Sequence, residues 1–241
     1  MQGMAQQITP KDVAGDKEYN RKGAIFDVDG TLLDSMPVWH NIGELYLESL
    51  GITCEKDLGD KIYAMSLEQG ASYLRKEYHL EKSESEIIHE VLKIVDDFYR
   101  LEAPLKPGVR KVLDWFRNHG IPMAVATSGN RALALAALER TGAAEYFQTV
   151  LTCSEIGAGK DKPEIYLQAA QAIGCKPEET LVFEDAFHAA CTAREAGFPV
   201  IGVYDESNRR FVHQMQEQCI CYCDQMEECI EFLNADGIYR E

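Results

Sequence analysis

The stretch Ala24-Ile25-Phe26-Asp27-Val28-Asp29-Gly30-Thr31-Leu32 decides how the whole chain is read. An apolar run ends in two carboxylates one residue apart, followed at once by a glycine and a hydroxyl residue. Alternate residues of a strand share a face, so Asp27 and Asp29 would project together if the strand continued. Gly30 permits a tight turn that sets amide donors, with the Thr31 hydroxyl, beside the negative pair. Such a pair needs a cation, and with a cation bound it can face a phosphate. Asp-Val-Asp alone would read as a solvated turn. The full DVDGTL string behind an apolar strand points instead to chemistry.

Beyond this stretch the pattern turns helical up to about residue 101. Trp39, Ile42, Leu45, Tyr46 and Leu50 recur at three- and four-residue steps. Ser66 with Gln69 and Ser83 with Glu86 have the spacing of capping boxes, each opening a further helix. The reading is a compact all-helical cap over residues 36–104, with residues 1–22 a polar N-terminal extension. Ala103-Pro104-Leu105-Lys106-Pro107-Gly108 breaks the helical pattern.

From there strand and helix signals alternate, with strands at 123–126, 149–152, 180–183, 200–203 and 219–223. Alternation of this kind predicts an α/β core, a doubly wound parallel sheet with helices on both faces, built from residues 23–35 and 105–241. Ligands of such sheets bind at the carboxyl ends of the strands. The helical insertion after the first strand is therefore placed like a lid.

Polar groups recur at those strand ends. Thr127, Ser128, Gly129 and Asn130 follow the second strand. Lys160 and Lys162 lie in the loop after the third, and Glu184-Asp185 follow Phe183. Each set alone reads as a helix cap or a solvated loop. Together they suit phosphoryl transfer. Mg²⁺ favours a few carboxylates plus a substrate phosphate. Asp27, Asp185 and a backbone carbonyl near Asp29 are the expected metal ligands, with Glu184 direct or through water. Thr127, a lysine and the loop groups of Gly30, Thr31, Ser128 and Asn130 would hold phosphoryl oxygens. One carboxylate would attack phosphorus, and a second would move the proton.

The 24 basic and 40 acidic residues, net charge -16, argue against nucleic acid and against anionic membranes as partners. A small phosphorylated metabolite is the expected partner, and a monomer is compatible with the composition. No window approaches the roughly 18 consecutive apolar residues of a membrane span. The N-terminus lacks a basic-then-apolar leader, so a cytoplasmic location is expected. The eight cysteines read as reduced thiols, with Cys219, Cys221 and Cys223 on one face of a short strand.

With these motifs the chain resembles the haloacid dehalogenase superfamily, in its β-phosphoglucomutase-like group. The resemblance rests on DVDGTL, on Ala-Thr-Ser-Gly-Asn at 126–130, on Gly-Lys-Asp-Lys-Pro-Glu-Ile-Tyr at 159–166 and on Phe-Glu-Asp at 183–185. It implies a Rossmann-like core with a helical cap and Mg²⁺-dependent phosphatase activity through an aspartyl phosphate. It further implies Asp27 as nucleophile, Asp29 as acid/base, Thr127 and Lys160 as phosphate ligands, and Asp27, Asp29 and Asp185 at the metal. Gapless matching favours Lys160, while Lys162, which precedes a proline, is the alternative. The family's mutases carry a histidine in the first cap helix, and its counterpart here is Trp39. His40 is one residue on, so it should face about 100° away. That favours hydrolysis over the alternative of a phosphosugar mutase. A phospho-accepting receiver module is the alternative from another class, although its acceptor lies on a middle strand of a shorter domain.

Overall fold

The computed structural model describes residues 21–63 and 65–235, so residues 1–20 of the expected extension lie outside the described residues. Six strands form one parallel sheet: β1 (Gly23–Phe26), β2 (Met123–Thr127), β3 (Phe147–Thr152), β4 (Thr180–Glu184), β5 (Val200–Val203) and β6 (Cys221–Cys223), in the order β3-β2-β1-β4-β5-β6. Between β1 and β2 come α1 (Met36–Ser49), α2 (Leu58–Ile62), α3 (Leu67–Glu77), α4 (Glu84–Leu101) and α5 (Val109–Asn118). The later crossovers carry α6 (Arg131–Arg140), α7 (Cys153–Ile156), α8 (Glu164–Ala172), α9 (Phe187–Glu195) and α10 (Val212–Gln218), and α11 (Glu228–Ala235) follows β6.

Period-two alternation along β1 explains why both sheet faces are covered. Ala24 and Phe26 belong to one buried cluster with Val112 and Phe116 of α5 and Leu138 of α6. Ile25, between them, belongs to the other, with Ile165 and Tyr166 of α8 and Ala190 of α9. A strand with apolar residues on both faces is what a doubly wound sheet requires. β1 lies at the centre, its register fixed by β2 on one side and β4 on the other. The chain reverses direction across the sheet there, which opens a crevice at the strand ends.

The helices of the insertion begin as their sequences predict. Ser66 and Ser83 each accept from the backbone N–H three residues on, and the Gln69 and Glu86 side chains reach back to the cap amides. The two linkers joining the insertion to the core pair with each other, Leu33 bridging Leu105 antiparallel. Lys106 then fastens them to the sheet edge. Its ammonium donates to Gly30 O (2.7 Å), Tyr204 O (2.6 Å) and Asp205 Oδ2 (2.8 Å).

One cysteine is placed differently from its reading. The Cys219 amide closes α10 on Met215 O (2.9 Å), and β6 starts only at Cys221. Cys219 therefore packs with the α8–α10 face, whereas Cys221 and Cys223 pack with the other. A helical end rotates the side chain off the strand's alternation.

Candidate active site

The DVDGTL turn is built by one carbonyl. Val28 O accepts from the amides of Thr31 (3.3 Å), Leu32 (2.9 Å) and Leu33 (2.8 Å), and Gly30 N donates to Leu33 O (3.0 Å). Val28, Leu32 and Leu33 are fully buried, which anchors the turn to the core. The Gly30 and Thr31 amides are thus spent on the turn. The Thr31 hydroxyl lies 3.5 Å from Asp185 Oδ1 rather than open to a ligand. Gly30 and Thr31, both expected at a phosphate, also shape the turn and brace the acids. Gly30 has φ +84°, and a Cβ there would sit 2.5 Å from Asp185 Oδ2, so both conformation and space demand glycine.

Because the chain turns so tightly, the two aspartates point into different surroundings. Asp27 is buried and takes the Lys160 ammonium in a short ion pair. Lys160 also donates to Glu184 Oε1 (2.6 Å), which accepts in addition from the Tyr166 hydroxyl (2.7 Å). Asp185 accepts from Asn208 Nδ2 (2.7 Å). Asp27, Glu184 and Asp185 each offer an oxygen within 4.8 Å of the others.

Three buried carboxylates around one ammonium carry excess negative charge, and their protonation reflects it. Burial, then the Asp27 and Glu184 charges, pushes Asp185 well above the usual carboxylate range. Burial likewise raises Glu184, to about 7, against the pull of Lys160. Burial alone would lower the Lys160 ammonium, but Asp27 and Glu184 outweigh it and the net direction is up. Glu184 Oε2 is buried without a hydrogen-bond partner among the described residues. Hard oxygen donors, surplus charge and an orphaned carboxylate oxygen fit a divalent cation such as Mg²⁺.

Asp29 stands outside this trio. Its Oδ1 accepts from Ser35 Oγ (2.6 Å) and from the Tyr99 hydroxyl, and Trp39 Nε1 donates in turn to Tyr99 (3.0 Å). Burial, then the neighbouring Asp27 charge, raises the Asp29 pKa, while Ser35 and Tyr99 act in the opposite direction. On its other side Gly129 approaches so closely that a Cβ would lie 2.9 Å from Asp29 Oδ2. The Asp29 carboxylate is not among the three that converge.

The remaining candidates divide. Thr127 is buried at the end of β2, its Oγ1 accepting from Gly129 N (2.9 Å), which leaves the hydroxyl proton to donate. Lys160 is buried in the cluster, whereas Lys162 is exposed. Ser128 is exposed, with Oγ 3.5 Å from Cys153 Sγ. Asn130 is the N-cap of α6, its side-chain oxygen taken by Ala132 N (2.8 Å) and Leu133 N (3.3 Å). The Asn130 side-chain oxygen, expected near a phosphate, meets the local demand of otherwise unpaired helix amides. His40 faces away from Asp29, with Nε2 3.4 Å from Asp60 on the surface.

Ser35, Trp39, Tyr99, Tyr166 and Asn208 complete the network and were not read as site residues from sequence. Tyr166 carried a usable signal, lying in the first turn of α8, directly after the lysine loop. The others reach the acids from helices and turns whose residues look like ordinary apolar or polar faces.

Acids, a hydroxyl and a lysine gathered at the carboxyl edge of a doubly wound sheet define a hydrolase of the phosphoryl-transfer type. The chain belongs to the haloacid dehalogenase-like hydrolases, whose family profile matches residues 21–197. It is 30% identical over 191 residues to a phosphorylated carbohydrates phosphatase of Thermotoga maritima, covering 78% of this chain and 87% of that protein. It is 31% identical over 186 residues to hexitol phosphatase A of Escherichia coli, covering 76% and 82%. A solved Thermotoga maritima structure described as a candidate β-phosphoglucomutase superposes with a TM-score of 0.75 at 27% identity, over 89% of this chain and 99% of that one. This chain is accordingly a phosphoric monoester hydrolase of the β-phosphoglucomutase-like group. No helix among the described residues is long and apolar enough to cross a membrane.

Proposed function

We propose that the protein hydrolyses a small phosphorylated metabolite through a phosphorylated Asp27, with residues 36–104 acting as the cap over the reaction. Sugar phosphates are the class that the names of its relatives suggest. The observation that carries this reading is the separation of two carboxyl environments one residue apart. Asp27 is held in a cationic cluster, while Asp29 is oriented by the Ser35 and Tyr99 hydroxyls, its pKa raised by burial and then by the Asp27 charge.

In the proposed reaction an Asp27 carboxylate oxygen attacks phosphorus, forming a P–O bond as the ester P–O bond breaks. Asp29 gives its proton to the departing alkoxide. It then takes a proton from the water that attacks the phosphoryl group, releasing phosphate and restoring Asp27. Lys160 has three donors, of which Asp27 and Glu184 take two, so the third remains for a phosphoryl oxygen. The Thr127 hydroxyl proton can serve a second oxygen. Asp27, Asp185, Glu184 and the Asp29 carbonyl would hold Mg²⁺, which supplies charge neutralisation for the phosphoryl oxygens.

Asp27→Asn removes the nucleophile and keeps its shape. Phosphate release in the presence of Mg²⁺ should fall by at least 1,000-fold with the fold unchanged by circular dichroism. Near-normal turnover by this variant would exclude the mechanism.

A further inference from the structure

The helices between β1 and β2 frame a partly open cavity of about 220 Å³. Its walls include Ile42, Ile62, Leu74, Ile88 and Val91, and among the described residues lining it there is no Lys, Arg, His, Asp or Glu. The Ser66 hydroxyl, one of its few polar groups, is committed to the α3 capping box and to Glu68 (2.7 Å). Gly70 faces the space, and a Cβ built there meets nothing within 4 Å.

Two aromatic walls tie this cavity to the acids. Trp39 lines it while its Nε1 donates to Tyr99, the residue that bonds Asp29. Tyr63, 43% exposed at the rim, lies beside Ser207, and the next residue, Asn208, holds Asp185. Burial, then the Asp205 and Asp185 charges, raises the Tyr63 hydroxyl's pKa, which places it in the field of the acid cluster. The cavity is thus one residue removed from Asp29 on one side and two from Asp185 on the other.

We infer that this cavity receives the leaving group of the phosphomonoester, and that the group is uncharged, largely apolar and about one ring in size. The inference rests on the phosphatase reading above and sets this chain's substrate apart from the sugar phosphates that its relatives' names suggest. A second phosphate or a carboxylate here would lose its hydration with no counter-charge. A polyhydroxylated sugar would lose hydrogen bonds to water with few side chains to replace them. A cavity of about 150 Å³ with aliphatic walls holds a benzene ring, so this one admits a ring with its linking carbon.

The test measures Mg²⁺-dependent phosphate release from benzyl phosphate, acetyl phosphate, glucose 6-phosphate and fructose 1,6-bisphosphate, using wild type, Gly70→Leu and Asp27→Asn. Benzyl phosphate should exceed both sugar phosphates at least tenfold in kcat/KM. Gly70→Leu, which fills the space, should lower the benzyl-to-acetyl phosphate ratio at least tenfold. Separately, benzyl alcohol should raise the melting temperature of wild type and not of Gly70→Leu. Asp27-dependent hydrolysis of a sugar phosphate as efficient as that of benzyl phosphate overturns the inference and leaves the phosphatase reading standing. Absence of Asp27-dependent release from every ester overturns the phosphatase reading, and the inferred leaving group with it. In that case a melting shift with benzyl alcohol in wild type alone would still support an apolar occupant, and no shift would remove that as well.

Discussion

Tyr99 is the residue whose contribution is most sharply defined by geometry and least visible in sequence. It is buried at the end of α4, 70 positions from the aspartate it bonds, and it is itself fixed by Trp39. A carboxyl that must give and later take one proton needs a fixed orientation, and Ser35 and Tyr99 supply it from two directions. Tyr99→Phe keeps the packing and removes one charge-assisted hydrogen bond, worth about 1.5–3 kcal/mol. If about half of that is felt in the transition state, kcat should fall by roughly 3- to 12-fold. KM should stay within about twofold, because the phosphate contacts proposed for Thr127 and Lys160 would be untouched. Steady-state kinetics on a good substrate separate the two constants, and a change confined to KM would count against an orienting role. The acids, Thr127 and Lys160 were legible because each follows a strand of the alternating core. Tyr99 was not, because a tyrosine on an amphipathic helix is indistinguishable from core until the helix is placed over its partner.

The same distinction holds for the elements. Helix starts at Ser66 and Ser83 were readable because capping is a local exchange of hydrogen bonds within four residues. The order of strands and the closing of the two linkers were not, since they depend on contacts between distant segments. Lys106 shows the difference. In sequence it sits between two prolines' worth of breaker signals, yet its ammonium joins the DVDGTL turn, β5's exit and the second linker at once. Its side chain is only 14% exposed, and the Asp205 carboxylate it neutralises 6%. Lys106→Met would remove the cation from that carboxylate and the Lys106 donor from its Oδ2 and from two carbonyls, a loss of about 3 kcal/mol on the scale of broken buried pairs. Urea unfolding should show a lower midpoint. Because Gly30 O is one of the acceptors, the acid turn should loosen too, and phosphatase activity should fall even where the protein remains folded. A variant with unchanged stability would mean that the linkers hold their position through Leu33 and Leu105 alone.

At the scale of the molecule, part of a net charge of -16 lies inside: the core sheet ends in three buried carboxylates, of which Asp27 and Glu184 share one lysine. The composition argued against nucleic acid and anionic membranes as partners; the fold shows a site where negative charge is in surplus. Without a cation the cluster works against folding, since Asp185 and Glu184 both titrate above their ordinary range. Saturating Mg²⁺ should therefore stabilise the protein, by about 2.7 kcal/mol at a hundredfold excess over Kd, or about 5–10 °C in Tm for a chain of this size. General screening of a strongly acidic surface would also raise Tm, so the Mg²⁺ response must be read against NaCl at matched ionic strength. Asp185→Asn separates the two causes. It changes the net charge by a single unit, keeps an oxygen to accept from Asn208, and removes one of three like charges from the cluster. The metal-free variant should melt higher than metal-free wild type, by a few degrees, because a buried charge with a raised pKa is gone. The same variant should lose the Mg²⁺-specific increment while keeping the NaCl response, and chelator-treated wild type should lose its phosphatase activity and recover it on adding Mg²⁺ back. If Asp185→Asn instead melted lower and still responded to Mg²⁺ like wild type, the surplus charge would have to be neutralised elsewhere, and the acid trio would not be the cation site.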